Sequence, residues 1–207
     1  MLWRNLLIIV IAYLLGSIPS AYIACKVKLN KDIRTLGSGN MGTTNAFRIL
    51  GPGLGSATFI VDLFKAIIAC LIGKHFGGTI GGMLAAFFVV IGHMFPAWLG
   101  FRGGKGMACA CGILFALLPY HALILVPLFA LITLLTGYVS LASLTTAVLA
   151  PWLAILIHIP WQYEICIILL ALSICYRHRS NWQRIREGTE HQFGFALIKK
   201  RVLQRKK

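Results

Sequence analysis

Acidic residues are nearly missing from this 207-residue chain: Asp32, Asp62, Glu164, Glu187 and Glu190 are the only five. Two Asp, thirty positions apart, cannot build a carboxylate cluster for a two-metal site. Charge of either sign is scarce, at 12% of residues against roughly a quarter in a soluble domain. Long stretches carry none, which excludes a large soluble core. The six cysteines (Cys25, Cys70, Cys109, Cys111, Cys166 and Cys175) sit mostly in apolar runs, and Cys109 and Cys111 are too close for a CxxC ligand pair. They read as small buried hydrophobes, with no disulfide framework and no metal site. A Walker A loop is also missing: the GxxxxGK[ST] spacing fails, since Lys105 is followed by Gly106 and then Met107. Zinc spacing and nucleic-acid reader modules are absent, so a nucleic-acid partner is not expected despite the basic balance.

What the chain has is apolar length: 58% hydrophobic residues and a mean hydropathy of +0.82. Apolar runs lie at Trp3–Cys25, Leu54–Ile72, Ile80–Trp98, Met107–Pro119, His121–Thr136, Tyr138–Ile157 and Trp161–Tyr176. The first, third and sixth are long enough to cross about 30 Å of hydrocarbon. The first runs past Ala24 with no convincing cleavage site, so it reads as a retained span.

Twenty Lys and Arg give a formal charge of +15, and their placement sets orientation. Lys26, Lys28, Lys31, Arg34 and Arg48 follow the first run, Arg102 and Lys105 the third, and ten more the last. An outside N-terminus and a cytoplasmic C-terminus put these seventeen on the inner side. Parity then requires Met107–Thr136 to cross twice or not at all. The expected fold is therefore all-α: a polytopic bundle of seven membrane helices, or five plus a re-entrant hairpin. A single domain over 1–207 is expected, with a basic cytoplasmic tail at 191–207.

Three polar segments fall on the inner side. Leu36 to Arg48 offers Ser38, Asn40, Thr43, Thr44 and Asn45, with Gly37, Gly39 and Gly42 allowing positive φ and amide approach to an anion. Arg48 adds a fork for phosphate. Gly92 to Gly106 carries His93, and its Arg102-Gly103-Gly104-Lys105-Gly106 run resembles a phosphate cradle in chemistry. His93 reads equally as a core histidine or a ligand contact. His178, Asn181 and Arg184 recur at helical spacing, and Glu190 follows. Positive-inside charge alone explains the cations but not the glycines, amides and hydroxyls among them. Within a span, Asp62 and Lys65 stand three apart as a structural pair, with Lys65 able to reach towards the phosphate region.

These segments resemble the three motif regions of the bacterial acyl-phosphate:glycerol-3-phosphate acyltransferases, the PlsY family. The match takes in Gly16-Ser-Ile-Pro19, Gly37 to Asn45 with Arg48, Gly92-His-Met-Phe-Pro96, and Phe101 to Gly106. It continues through Tyr138 to Ser143 and His178-Arg-Ser-Asn181, with Gly188 and Glu190. The chain departs from the family at Gly137, where an Arg is frequent, at Ala66 in place of Gly, and at Arg102 in place of Lys.

The resemblance implies acyl transfer from acyl phosphate to the 1-hydroxyl of sn-glycerol 3-phosphate, giving lysophosphatidate and inorganic phosphate. It places Ser38, Arg48, Lys105, Ser143, His178 and Asn181 along the substrate pocket. On that footing Ser38, Arg48, Lys105, His178 and Asn181 are the expected catalytic residues. Gly39, Asn40, Thr44, Asn45, His93, Arg102, Gly103, Gly104, Gly106, Ser143 and Glu190 are the expected binding residues. The proton goes either to the phosphate of the donor or to His178. The His-x-x-x-x-Asp pair of thioester-using glycerolipid acyltransferases is missing, since none of the six histidines has Asp five positions on. No metal or cofactor is implied. The expected partners are the two phosphate substrates, membrane lipid and the enzyme that makes acyl phosphate, at the bacterial cytoplasmic membrane with the site facing the cytoplasm. An organic-anion transporter is the rival class, weakened by the lack of an internal repeat.

Overall fold

The computed structural model describes residues 1–193, and its regular elements are helices, with no strand among the described residues. In chain order they are α1 (Leu2–Gly16), α2 (Ser20–Leu29), α3 (Thr43–Leu50), α4 (Pro52–Met94), α5 (Met107–Leu117), α6 (Pro119–Thr136), α7 (Val139–Ile157), α8 (Trp161–Arg177) and α9 (Arg179–Arg186). Each apolar run of the sequence holds helix. Of the tail expected over 191–207, all but residues 191–193 lies outside the described residues.

Two boundaries differ from the apolar runs, each for a backbone reason. The first run is broken, because α1 ends at Gly16 and α2 starts only at Ser20. Pro19 has no N–H and disfavours helix at Ile18, so the chain steps aside there and exposes the Ile18 carbonyl. The second and third runs form one element of 43 residues, α4, which starts with Pro52 in its first turn. Straight, it would be about 65 Å long, twice the hydrocarbon thickness. It is instead folded back at Gly78, where φ 61° and ψ −148° are open to glycine and strained for other residues. A Cβ on Gly73 would overlap the Gly81 carbonyl, and Lys65 Nζ reaches His93 Nδ1 at 3.2 Å. Twenty-eight residues apart on a straight helix, those side chains would be about 42 Å apart. The element is a helical hairpin.

The chain divides into two compact units, one of 1–119 with 159–166, the other of 120–158 with the residues from 167 on. In the first unit α1 lies on α4 through glycines: a Cβ on Gly16 would overlap the Val89 carbonyl, and one on Gly92 the Tyr13 carbonyl. Gly112 brings α5 equally close to the Leu63 carbonyl of α4. Small residues that let backbones touch are how helices associate where burial from water offers little drive. In the second unit, Leu123, Leu135 and Leu156 are each more than 70% exposed. Bare leucines on long apolar helices suit lipid rather than water. Four stretches are long and apolar enough to cross a membrane: Leu2–Leu29, Pro52–Leu99, Pro119–Thr136 and Val139–Ile157. At eleven residues α5 reaches about 16 Å and is too short to span alone.

Candidate active site

The first unit holds the first two polar segments. Leu36 to Gly42 is a loop folded around one side chain, Asn45 of α3. Asn45 Oδ1 accepts the Ser38 N–H at 3.0 Å, and its Nδ2 donates to the Leu36 and Asn40 carbonyls at 3.0 and 2.9 Å. Asn45 is buried because it replaces the hydrogen bonds the loop backbone would otherwise make to water. Asn40 closes the next turn, its Oδ1 accepting the Gly42 N–H at 2.7 Å. Of the three glycines expected at positive φ, Gly37 and Gly39 have it and Gly42 does not. This scaffold leaves Ser38 exposed at the loop surface, with Arg48 exposed on α3. Arg48 Nη1 lies 3.5 Å from Asn45 Oδ1, so the guanidinium leans on the group that holds the Ser38 amide.

The loop is tied to the second segment. Arg34 grips Asp32 with Nε and Nη2, at 2.7 to 3.1 Å, and its Nη1 donates to the Leu99 carbonyl at 2.8 Å. The Arg34 hydrogen bonds hold the Asp32 carboxyl below the usual carboxylate range. Beneath, Ile33, Met41, Ala46 and Leu50 form an apolar cluster with Leu36 and Leu99 against it. Lys28 Nζ caps the end of α3 on the Leu50 carbonyl at 2.8 Å.

In the second segment the glycines serve close approach. The Gly103 N–H donates to the Met94 carbonyl and the Gly104 N–H to the His93 carbonyl, both at 3.0 Å. The sequence pattern offers these amides to an anion; in the fold they satisfy the last carbonyls of α4. A Cβ on Gly103 would overlap the His93 carbonyl, and one on Gly104 would overlap His93 Nε2. The turn so clamped carries exposed Arg102 and half-buried Lys105 at its corners, and Gly106 leads into α5.

Under this turn Asp62 and Lys65 pair at 2.6 Å, as their spacing predicts. Sequence alone missed their other partners: Ser20 Oγ donates to Asp62 Oδ1 at 2.8 Å, and Lys65 Nζ donates to the Ile18 carbonyl at 2.9 Å. Asp62 and His93 also border a cavity of about 10 Å³ at the α1–α2 step. The Gly16-Ser-Ile-Pro19 motif was the available signal, since a helix break inside a span frees a carbonyl for a buried cation.

The second unit holds the third segment, organised by Glu190. Its Oε1 accepts from Asn181 Nδ2 at 2.6 Å and Ser140 Oγ at 2.8 Å, and its Oε2 from Arg184 Nε at 2.7 Å. Burial opposes the charge of Glu190, but these three donors outweigh it and hold the carboxyl below its ordinary range. Asn181 and Arg184 share a face of α9 as their spacing predicts. His178 is buried at the start of α9, with Nδ1 2.8 Å from the Ile174 carbonyl. A carbonyl only accepts, so Nδ1 is the donor in this contact. Ser143, one turn beyond Ser140 on α7, donates its hydroxyl to the Val139 carbonyl at 2.8 Å. Gly137, where the family often has Arg, accepts the Phe193 N–H on its carbonyl at 2.7 Å. No group of three or more His, Cys, Asp or Glu suited to a metal occurs among the described residues.

Chemically, the first unit presents a hydroxyl and three cations on braced turns, and the second a buried imidazole and an amide set by a carboxylate. The family model described as glycerol-3-phosphate acyltransferase matches residues 6–188. The glycerol-3-phosphate acyltransferase of Syntrophomonas wolfei is 42% identical over 88% of this chain and 94% of its own length. That of Clostridioides difficile is 40% identical over 93% and 97%. The crystal structure of PlsY, an integral membrane glycerol 3-phosphate acyltransferase, in its glycerol 3-phosphate form superposes with a TM-score of 0.89 at 37% identity, covering 94% of this chain and 98% of that one. Its lysophosphatidic acid form gives 0.84, at the same identity. The chain belongs to the glycerol-3-phosphate acyltransferase family.

Proposed function

We propose that this protein transfers a fatty acyl group from acyl phosphate to the 1-hydroxyl of sn-glycerol 3-phosphate, the first acylation of phospholipid synthesis. The hydroxyl oxygen bonds to the acyl carbon and the acyl–phosphate bond breaks. Lysophosphatidate and inorganic phosphate leave. The observation that carries the reading is the near full-length likeness to PlsY in its glycerol 3-phosphate form.

In this reading the protein works by positioning and by charge. Both reactants are anions, and Arg48, Arg102 and Lys105 supply the cations for their phosphates. Ser38, on a loop fixed by Asn40 and Asn45, orients the attacking hydroxyl or the carbonyl, as does Asn181. Ser143 lines the pocket. Glu190 acts by aiming Asn181, because its carboxylate is already committed to three donors and would repel a phosphate. The proton of the attacking hydroxyl passes either to the donor phosphate or to His178.

The reading treats 1–207 as one membrane acyltransferase domain of seven spans, N-terminus out and C-terminus in, at the bacterial cytoplasmic membrane. The Gly78 hairpin supports counting α4 as two spans. The site faces the cytoplasm, where the enzyme that makes acyl phosphate is the expected partner. Purified protein in detergent, given acyl phosphate and glycerol 3-phosphate, is expected to release inorganic phosphate and form lysophosphatidate. Acyl-CoA in place of acyl phosphate gives little product. Turnover with acyl-CoA at the same rate would overturn the choice of donor, and no acylation with either donor would overturn the activity.

A further inference from the structure

Asp62, Lys65 and His93 form a buried charged cluster that the acyl transfer just described does not use. The Lys65 ammonium donates to Asp62 Oδ1 at 2.6 Å and to the Ile18 carbonyl at 2.9 Å, and His93 Nδ1 lies against both members of the pair, 3.2 Å from Lys65 Nζ and 3.5 Å from Asp62 Oδ1. Asp62 Oδ1 also accepts from Ser20 Oγ at 2.8 Å. Both charged side chains are 4% exposed or less. Replacing a buried ion pair by apolar residues of similar volume is often neutral for stability, so cohesion alone is a weak reason for this one. Its geometry offers another.

The geometry names the task. Lys65 pins the His93 ring at its Nδ1 edge, and the opposite edge meets the turn that carries Lys105. A Cβ placed on Gly104 would overlap Nε2 and lie 2.9 and 3.0 Å from Cε1 and Cδ2, so the ring points its Nε2 vertex at Gly104. The Gly104 N–H is bonded to the carbonyl of the same histidine. Gly104 is thus held by the backbone of His93 and braced by its ring, and Lys105 is the next residue. We propose that the Asp62–Lys65 pair is a positioning device for Lys105: it locks His93 edge-on against Gly104 and so fixes the backbone from which Lys105 meets a phosphate monoester or acyl phosphate. This rests on the reading of Lys105 as a phosphate ligand. Asp62, Lys65 and His93 are positioning residues in it.

The test is a double-mutant cycle of His93→Ala, Gly104→Ala and both together. Its readouts are glycerol 3-phosphate affinity from the ligand-induced rise in Tm, KM for acyl phosphate, and kcat. Each single change is expected to weaken the phosphate ligand that Lys105 holds by about tenfold, with kcat moving less. Which of the two substrates weakens identifies that ligand. In the double variant the methyl group added by Gly104→Ala enters space the ring has left, so its loss is no greater than that of the worse single variant. Losses that multiply, or affinities that stay within twofold, overturn the proposal. A second arm, Asp62→Asn with Lys65→Met, removes both charges together and is expected to keep Tm while weakening the same ligand. Unchanged affinity in that folded variant also overturns it. Wild-type protein that binds glycerol 3-phosphate without acylating it would refute the proposed reaction, and the affinities would still decide the role of the cluster.

Discussion

Asn45 and Glu190 each hold a functional side chain by giving up their own hydrogen-bonding capacity. Replacing Asn45 by Ala removes the side-chain partner of the Ser38 N–H and of the Leu36 and Asn40 carbonyls, of which only Leu36 keeps another, the Gly39 N–H. Asn45→Asp keeps the acceptor for Ser38 but turns an oxygen towards two carbonyls. Both variants are expected to lose most kcat/KM while circular dichroism reports the same helix content, and Asp is expected to rescue nothing. For Glu190 the sign of the pH effect follows from its lowered pKa. Its contribution to stability is complete above the unfolded carboxyl pKa and is lost as pH falls through the lower folded one. Wild-type protein is therefore expected to melt above Glu190→Gln at neutral pH, with the gap closing below the ordinary carboxylate range. A gap that persists in acid would show that the charge of Glu190 is not what secures Asn181.

At the scale of elements, the apolar runs gave the helices because hydrocarbon length is written directly in composition. The breaks were harder to read. Pro19 was visible, but an apolar run continues through it, and only the burial of Lys65 against the Ile18 carbonyl explains why the step is kept. Gly78 lies in the gap between the second and third runs, beside Lys74, His75 and Gly77, so a break is marked there, but not that helix runs up to it from both sides. Its φ of 61° with ψ −148° makes the position sensitive: Gly78→Ala is expected to cost about 1–3 kcal/mol in backbone strain, read as a fall in Tm. The neighbouring Gly77→Ala does not meet that φ constraint and is expected to cost less than Gly78→Ala. The binding glycines also divide by geometry the sequence does not hold. Gly-Gly beside Lys read as anion-binding amides, yet the amides of Gly103 and Gly104 close the end of α4, and their missing side chains make room for His93. Asn45 and Glu190 were legible as important polar residues, but the partners that let them brace the Ser38 loop and Asn181 are set by the fold.

For the whole molecule, charge placement and helix length bear on topology independently, and both stop short at α5 and α6. Cations follow the first, third and last apolar runs, so the positive-inside rule expects the segments around Thr35, Trp98 and Glu187 on one side and Lys74, beside the hairpin turn, on the other. Neither consideration fixes α5, whose eleven residues fall short of the bilayer, or α6, which reaches about 27 Å and carries Pro127 within it. The two arrangements differ at Tyr120, which is 68% exposed at the start of α6. Seven spans put it outside with Lys74; a re-entrant hairpin keeps it with the cytoplasmic loops. Single cysteines at 35, 74, 120 and 187, in a chain whose own six cysteines are replaced by Ala or Ser, can be labelled with an impermeant thiol reagent. In right-side-out vesicles, positions 74 and 120 are expected to react and 35 and 187 only after permeabilisation. Reaction at 74 without 120 would favour five spans and leave the cytoplasmic turns where the charges put them. Reaction at 35 would invert the chain and remove its cationic turns from the compartment that holds glycerol 3-phosphate.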